Sequence, residues 1–115
     1  MSRRFDIYIE YARKLSLLLE DPKKFLEEVK REIVKELPEA RVYLFGSVAR
    51  GRYTAASDID ILVVVKDLDE ARAEKLKIEI KKRYPWAPLE LHIVDYEIFK
   101  KWYKRFVSKE ELIEI

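Results

Sequence analysis

The sequence contains no cysteine, and it has only two glycines, four prolines and one histidine among its 115 residues. Without cysteine the chain can form neither a disulfide nor a zinc site with thiolate ligands. No apolar run approaches the roughly 20 residues that a membrane-spanning helix requires. The first residues are charged and helical in pattern rather than signal-like. We therefore expect a soluble, cytoplasmic protein that does not enter a membrane.

The charges of the chain are numerous but nearly balanced. Lys and Arg number 24 and Asp and Glu 22, so the net charge is +2, while charged residues make up 40% of the sequence. This balance does not favour direct nucleic-acid binding, which usually needs a strongly basic surface. The hydrophobic fraction of 49% excludes a disordered chain. We expect a single domain that spans residues 1–115.

Hydrophobic periodicity predicts an alternation of helices and strands. Helical spacing is found at residues 5 to 20, 22 to 37 and 69 to 84, and again after Asp95. Strand patterns occupy residues 41 to 45, 58 to 65 and 89 to 94, and a brief helix is expected at 47 to 51. Ser108 and Glu111 have the spacing of a capping box, which predicts a last short helical turn. The predicted fold class is α/β (α+β), a small mixed sheet with helices packed against it.

Asp58 and Asp60 are the first candidate functional residues. They lie two residues apart at the start of a predicted strand, so both side chains should point to one face. Their Cβ atoms would be about 6.6 Å apart, and the repulsion would be roughly 2.5 kcal/mol at an effective dielectric of ~20. Such a pair, next to the apolar Ile59 and Ile61, would destabilise the fold but is well suited to bind Mg²⁺. A solvated strand face is the alternative explanation for the pair taken by itself.

A glycine-serine turn precedes this acidic pair. Both glycines, Gly46 and Gly51, lie within one six-residue stretch, and Gly46 would let the backbone approach a phosphate closely. Ser47 offers a hydroxyl, backbone N–H groups at such a turn bind anions, and Arg50 adds positive charge. The stretch is neither a P-loop, because no lysine follows the glycine turn, nor a dinucleotide fingerprint. It therefore predicts a phosphate site within 15 residues of the acidic pair.

These motifs together resemble a known signature. Gly46-Ser47, Ala49-Arg50-Gly51 and Ser57-Asp58-Ile59-Asp60 are similar to the G-S-x-A-R-G-x(5)-S-D-I-D pattern of minimal nucleotidyltransferases in the DNA polymerase β-like superfamily. The resemblance covers residues 22–106 and implies that superfamily's fold, with residues 1–20 as an extra N-terminal helix. It also implies transfer of a nucleoside monophosphate, AMP from ATP, to a hydroxyl. Two Mg²⁺ ions would assist the transfer, with Mn²⁺ as an alternative ion.

The resemblance also assigns roles to individual residues. It implies a third carboxylate on a strand beside the aspartates; here the candidate is Glu90, where many relatives have aspartate, and an exposed strand acid is its alternative explanation. Ser57 would contact the nucleotide or hold its own turn. His92, on the same face as Glu90, would touch the nucleotide or acceptor, or form a structural hydrogen bond. The implied catalytic metal ligands are Asp58, Asp60 and Glu90, and the implied nucleotide-binding residues are Gly46, Ser47, Arg50 and Ser57.

The acceptor is the least determined part of the hypothesis. Similar minimal nucleotidyltransferases are antitoxins that adenylylate HEPN-domain toxins, so the resemblance implies such a toxin as partner. Because the chain is short, we expect a partner to supply the acceptor site. Two other functions stay open: a nucleotide- and metal-binding module that neutralises a partner without transfer, and a small-molecule nucleotidyltransferase.

The sequence leaves two structural questions open. The first is the oligomeric state. The second is whether an aromatic stripe belongs to the core or to a partner surface; the stripe is Phe99, Trp102, Tyr103 and Phe106.

Overall fold

The computed structural model describes residues 3–46, 49, 51, 58–106 and 112–115. Its helices are α1 (Arg3–Glu20), α2 (Pro22–Glu36), α3 (Glu70–Arg83) and α4 (Tyr96–Phe106). Its strands are β1 (Arg41–Phe45), β2 (Ile59–Val65), β3 (Leu89–Asp95) and β4 (Leu112–Glu114). Within these described ranges, no helix is both long enough and apolar enough to cross a membrane.

The strands form one mixed sheet in the order β3-β2-β1-β4. β2 and β3 are parallel and are connected through α3, whereas β1 is antiparallel to both β2 and β4. In this register Asp60 lies opposite Phe45 on one side and opposite Glu90 on the other. The predicted α/β class, a small mixed sheet with helices against it, is confirmed.

The two faces of the sheet are covered by different helices. Ile61 and Val63 of β2 belong to the larger core, together with buried residues of α2 and α3 such as Ile33 and Ile80. Leu62 belongs to a smaller cluster on the opposite face, where residues of α4 pack. Residues 61–65 are therefore buried on both faces, as their continuous apolar pattern predicts.

Part of the aromatic stripe of α4 packs on the sheet. The Phe99 ring stacks on Tyr43 with 5.4 Å between ring centroids, and Trp102 meets Phe45 edge-on at 5.4 Å. These contacts favour the core alternative for Phe99 and Trp102. The side chains of the other two members of the stripe, residues 103 and 106, lie outside the described part of the chain.

The predicted helix boundaries lie close to the observed ones, and aspartates cap two of the helices; the cap at Asp95 was predicted, whereas the cap at Asp69 was not. Asp69 Oδ1 accepts hydrogen bonds from the backbone N–H groups of Ala71 (3.0 Å) and Arg72 (3.2 Å), and Asp95 Oδ1 accepts one from Ile98 (2.8 Å). Asp21 occupies the predicted N-cap position of α2, with Pro22 as the first helical residue, but its side chain makes no capping hydrogen bond. The Asp21 backbone N–H instead donates to Leu17 O at 3.3 Å, so this residue closes α1.

β4 is an element that the sequence patterns did not predict. It pairs with β1 along the sheet edge, and Arg41 donates two hydrogen bonds of 2.9 Å to the Glu114 carboxylate. The helical turn predicted at Ser108 and Glu111 lies outside the described residues. Three residues are too few to show a strand period. The edge of β1 determines the conformation of this segment, because it offers unpaired backbone groups.

α1 is covered only in its C-terminal part. Leu18 is buried against the core, whereas Phe5 and Tyr8 are 50% and 63% exposed. The apolar stripe predicted for this helix is therefore only partly a core stripe. Its N-terminal half presents an apolar surface, hereafter the α1 surface, made of Phe5, Tyr8 and Ile9.

The contrast between Asp69 and Asp21 gives a stability prediction. Asp69→Ala removes two capping hydrogen bonds and should lower the free energy of unfolding by about 1 kcal/mol. Asp21→Ala is the matched control, because it removes a carboxylate from the same helix position without a side-chain hydrogen bond. Its expected effect is less than about 0.5 kcal/mol. Denaturant unfolding measures both; equal losses in the two variants would contradict the capping assignment.

Candidate active site

Gly46 lies directly after β1 and against the side chain of Asp60. Its φ is +79°, and a Cβ atom built at this position would lie 2.7 Å from Asp60 Oδ2. Any residue other than glycine would therefore be strained both by its backbone conformation and by a contact closer than van der Waals distance. The absence of a side chain at Gly46 is what allows the Asp60 carboxylate to lie at this edge of the sheet.

Asp60 occupies the centre of the site. It lies between Phe45 of β1 and Glu90 of β3, and 23% of its side chain is exposed. Burial raises the pKa of the Asp60 carboxyl above its ordinary value; the His92 imidazole acts in the opposite direction, and the charges of Glu90 and Asp58 raise the pKa further. The positive charge near Asp60 is therefore too small to compensate its ionised carboxylate.

Glu90 and His92 join Asp60 on the same face of the sheet. His92 Nε2 lies 3.4 Å from Asp60 Oδ1 and 3.8 Å from Glu90 Oε1. His92 and Glu90 are 39% and 55% exposed, so the group opens to solvent on the side of β3. One ligand atom from each of the three residues lies within 4.8 Å of the other two. We call Asp60, Glu90 and His92 the donor cluster.

The donor cluster fits a divalent cation. Two ligand atoms that each lie about 2.1 Å from one ion are themselves separated by roughly 3.0 to 4.2 Å, and the distances of 3.4 and 3.8 Å fall in this range. A cation would also offset the burial and like-charge repulsion that raise the pKa of Asp60. The chemistry and spacing of these side chains therefore suit a metal site.

Asp58 stands at the margin of this arrangement. It is exposed and lies immediately before β2, which begins at Ile59. Strand alternation therefore does not determine the direction of its side chain, and it is not among the three residues of the donor cluster. Its charge nevertheless contributes to the raised pKa of Asp60. The carboxylate of Asp58 is close enough to act on Asp60 electrostatically.

Three of the predicted nucleotide-binding residues cannot be placed. Ser47, Arg50 and Ser57 lie outside the described residues, so their roles stay predictions. Gly46 is placed beside the donor cluster. His92, which the predicted metal ligands did not include, is the residue that the fold adds. The sequence feature that pointed to His92 was its two-residue spacing from Glu90, which puts both side chains on one face of a strand.

Comparison with known families identifies the class of this domain. The model of the nucleotidyltransferase domain family matches residues 23–115, and the chain belongs to this family. The crystal structure of a provisionally named nucleotidyltransferase superposes with a TM-score of 0.63 at 31% identity, covering 79% of this chain and 97% of the other. The predicted polymerase β-like fold and nucleotidyltransferase class are confirmed.

Two further proteins are similar to this chain. A provisionally named nucleotidyltransferase from Sulfolobus solfataricus has a TM-score of 0.50 at 27% identity, covering 93% of this chain and 84% of the other. A provisionally named protein adenylyltransferase of Methanocaldococcus jannaschii is 39% identical over 61 residues, which are 51% of this chain. This match spans 62% of the length of that relative.

The two glycines allow a controlled test of the close approach at Asp60. Both have positive φ, but among the described residues nothing lies within 4 Å of a Cβ atom built at Gly51. Gly46→Ala and Gly51→Ala should therefore share a backbone cost of about 1 to 2 kcal/mol. Only Gly46→Ala should also displace Asp60 and reduce the stabilisation that Mg²⁺ or Mn²⁺ confers, measured as the shift of the unfolding midpoint with added ion. Equal ion-dependent shifts in the two variants would argue against the close approach.

The raised pKa of Asp60 gives a second prediction. Because the folded protein binds the proton more tightly than the unfolded chain, ionisation of Asp60 lowers stability as the pH rises, and this cost is complete at neutral pH. Asp60→Asn should therefore stabilise the ion-free protein at pH 7 by about 0.5 to 2 kcal/mol, and the gain should shrink in acid. Denaturant unfolding in the presence of a chelator, at pH 7 and at acid pH, measures this difference in the free energy of unfolding.

The control is Asp67→Asn, the same change at an exposed position after β2. It should leave stability nearly unchanged at both pH values. A destabilised Asp60→Asn variant would show that the carboxylate is held by favourable contacts and is not strained by burial.

Proposed function

We propose that this domain transfers AMP from ATP to a hydroxyl group on a protein acceptor and releases pyrophosphate. The observation that carries the proposal is the convergence of Asp60, Glu90 and His92 beside Gly46, where β1 ends and β2 and β3 begin. The chain belongs to the nucleotidyltransferase domain family, and the sequence motif puts the expected phosphate contacts directly after Gly46, at this edge of the sheet. No other function accounts for both features as directly.

The nucleotide would bind along the Gly46 turn. The open backbone of Gly46 lets a phosphate approach next to Asp60. Ser47, Arg50 and Ser57 are the residues that we expect to contact the phosphates, on the evidence of their sequence motif. This arrangement would orient the triphosphate with its α-phosphorus near the donor cluster, so that catalysis rests mainly on positioning and charge neutralisation.

The carboxylates would perform the remaining chemistry. Asp58, Asp60 and Glu90 would hold two Mg²⁺ ions, or Mn²⁺ as the alternative. Bound divalent ions supply positive charge to the reacting phosphoryl oxygens and lower the pKa of a hydroxyl. The acceptor oxygen forms a bond to the α-phosphorus while the bond from that phosphorus to the bridging oxygen of pyrophosphate breaks. Glu90, the more exposed carboxylate of the donor cluster, would bind the ion that lowers the pKa of the acceptor hydroxyl, or would itself accept the hydroxyl proton.

A protein acceptor is supported by two observations. The Methanocaldococcus jannaschii relative is named a protein adenylyltransferase, although the match spans only part of that protein. The α1 surface offers exposed apolar side chains of the kind that protein partners cover. Following the sequence resemblance, we propose that the partner is a HEPN-domain toxin, that the chain acts as its antitoxin, and that the reaction takes place in the cytoplasm.

A transfer assay tests the reaction itself. The protein would be incubated with ATP, Mg²⁺ and the HEPN-type product of a neighbouring gene, and the acceptor would be weighed by intact-mass spectrometry. We expect a gain of one or more AMP units with the wild type. Asp60→Asn and Glu90→Gln should slow the transfer at least about a hundredfold, because each removes a carboxylate from the site.

The matched controls are Asp67→Asn and Glu27→Gln, which make the same changes at exposed positions away from the donor cluster. Both should transfer at nearly the wild-type rate. Undiminished transfer by Asp60→Asn would refute the proposed mechanism. Binding of ATP with no modified acceptor would favour the binding-only module, and modification of small hydroxyl compounds in place of the protein would favour a small-molecule nucleotidyltransferase.

A further inference from the structure

We infer that His92 is a nitrogen ligand of the divalent ion, and that it shifts the preference of the site from Mg²⁺ toward Mn²⁺. This inference rests on the proposed function for one point only, the presence of an ion between Asp60 and Glu90. The sequence motif contains only oxygen ligands, so a nitrogen ligand would distinguish this site from one built of carboxylates alone.

The first support is the position of the imidazole between the two carboxylates. His92 Nε2 lies 3.4 Å from Asp60 Oδ1 and 3.8 Å from Glu90 Oε1, so it is near both oxygens. Both distances are compatible with two donors that share one ion, and the three donor atoms lie within 4.8 Å of one another. The parallel register determines this position, because it places Leu62 opposite His92 and Asp60 opposite Glu90 on the same face of the sheet.

The second support is the environment of the His92 Nε2 atom. It is shielded from solvent, and among the described residues it makes no well-aligned hydrogen bond, although Asp60 Oδ1 lies 3.4 Å away and the rest of the side chain is partly exposed. The structural alternative for this histidine, a hydrogen bond that holds the fold, would leave this nitrogen paired. The ring is instead oriented by Phe45, whose ring meets it edge-on with 5.1 Å between centroids. The unsatisfied nitrogen therefore points at the carboxylates while an apolar contact holds the ring.

The identity of the donor decides which ion it favours. Mg²⁺ binds oxygen ligands and retains several waters, and it gains little from an imidazole. Imidazole is a common ligand of transition metals, and Mn²⁺, unlike the other members of that series, also favours the carboxylate and water ligands that suit Mg²⁺. Two carboxylate oxygens and one imidazole nitrogen thus suit Mn²⁺ better than Mg²⁺. The competing explanation is a direct polar contact of His92 with the two carboxylates, without any bound ion.

The test measures ion binding directly and does not depend on catalysis. Mn²⁺ and Mg²⁺ would each be titrated into the full chain by calorimetry, and the Mn²⁺ complex would be examined by pulsed electron paramagnetic resonance for coupling to ¹⁴N. We expect a ¹⁴N coupling in the wild type that is absent in His92→Gln. The Mn²⁺ affinity of this variant should fall at least about tenfold, with less than a threefold change for Mg²⁺.

A second variant tests the selectivity. His92→Asp restores a third donor but makes it oxygen, so it should bind Mg²⁺ more tightly than the wild type relative to Mn²⁺. Circular dichroism of each variant checks that it is folded, and the wild-type ¹⁴N measurement needs no variant at all.

The outcomes separate this inference from the proposed function. Bound Mn²⁺ without ¹⁴N coupling, or undiminished Mn²⁺ affinity in His92→Gln, would overturn the role of His92 and leave the carboxylate site intact. If neither ion binds the wild type, or if Asp60→Asn binds both ions as tightly as the wild type, the proposed metal site itself is refuted together with the role of His92.

Discussion

The register of the central strand β2 is the constraint on which the site depends. β2 pairs with β1 on one side and β3 on the other, and its residues from Ile61 to Val65 are buried on both faces. A slip of one residue in either pairing would exchange the two faces of the strand and drive Asp60 into the larger core. The burial of Ile61 and Val63 thus holds Asp60 in place beside Glu90 as effectively as any direct contact.

The same register creates local interactions at the site that lower the stability of the fold. It gathers carboxylates at one edge of the sheet, where burial and mutual repulsion raise the pKa of Asp60. It also brings the backbone of Gly46 so close to Asp60 that a side chain would collide. Unfavourable local arrangements of this kind concentrate at functional sites and are compensated elsewhere. Here the compensation comes from the apolar interior of the sheet.

The unequal covering of the two sheet faces leaves the site accessible. α2 and α3 bury one face, while α4 covers only part of the other and leaves a cavity of about 200 Å³ beside His92. The donor cluster lies on this less covered face, at the ends of the strands. A triphosphate and an acceptor need such an opening, because the reacting groups must reach the carboxylates from solvent. The division of the helices between the faces therefore serves chemistry as well as packing.

The sequence by itself determined the elements that depend on near neighbours: the main helices and strands, the cap at Asp95, and the glycine-serine and aspartate motifs. These follow from periodicity and spacing within a few residues. Only the tertiary structure decided that His92 joins Asp60 and Glu90, that residues 112–114 form a strand, and that half of α1 remains exposed. Each of these depends on pairing or packing between segments far apart in the chain, which local patterns do not encode.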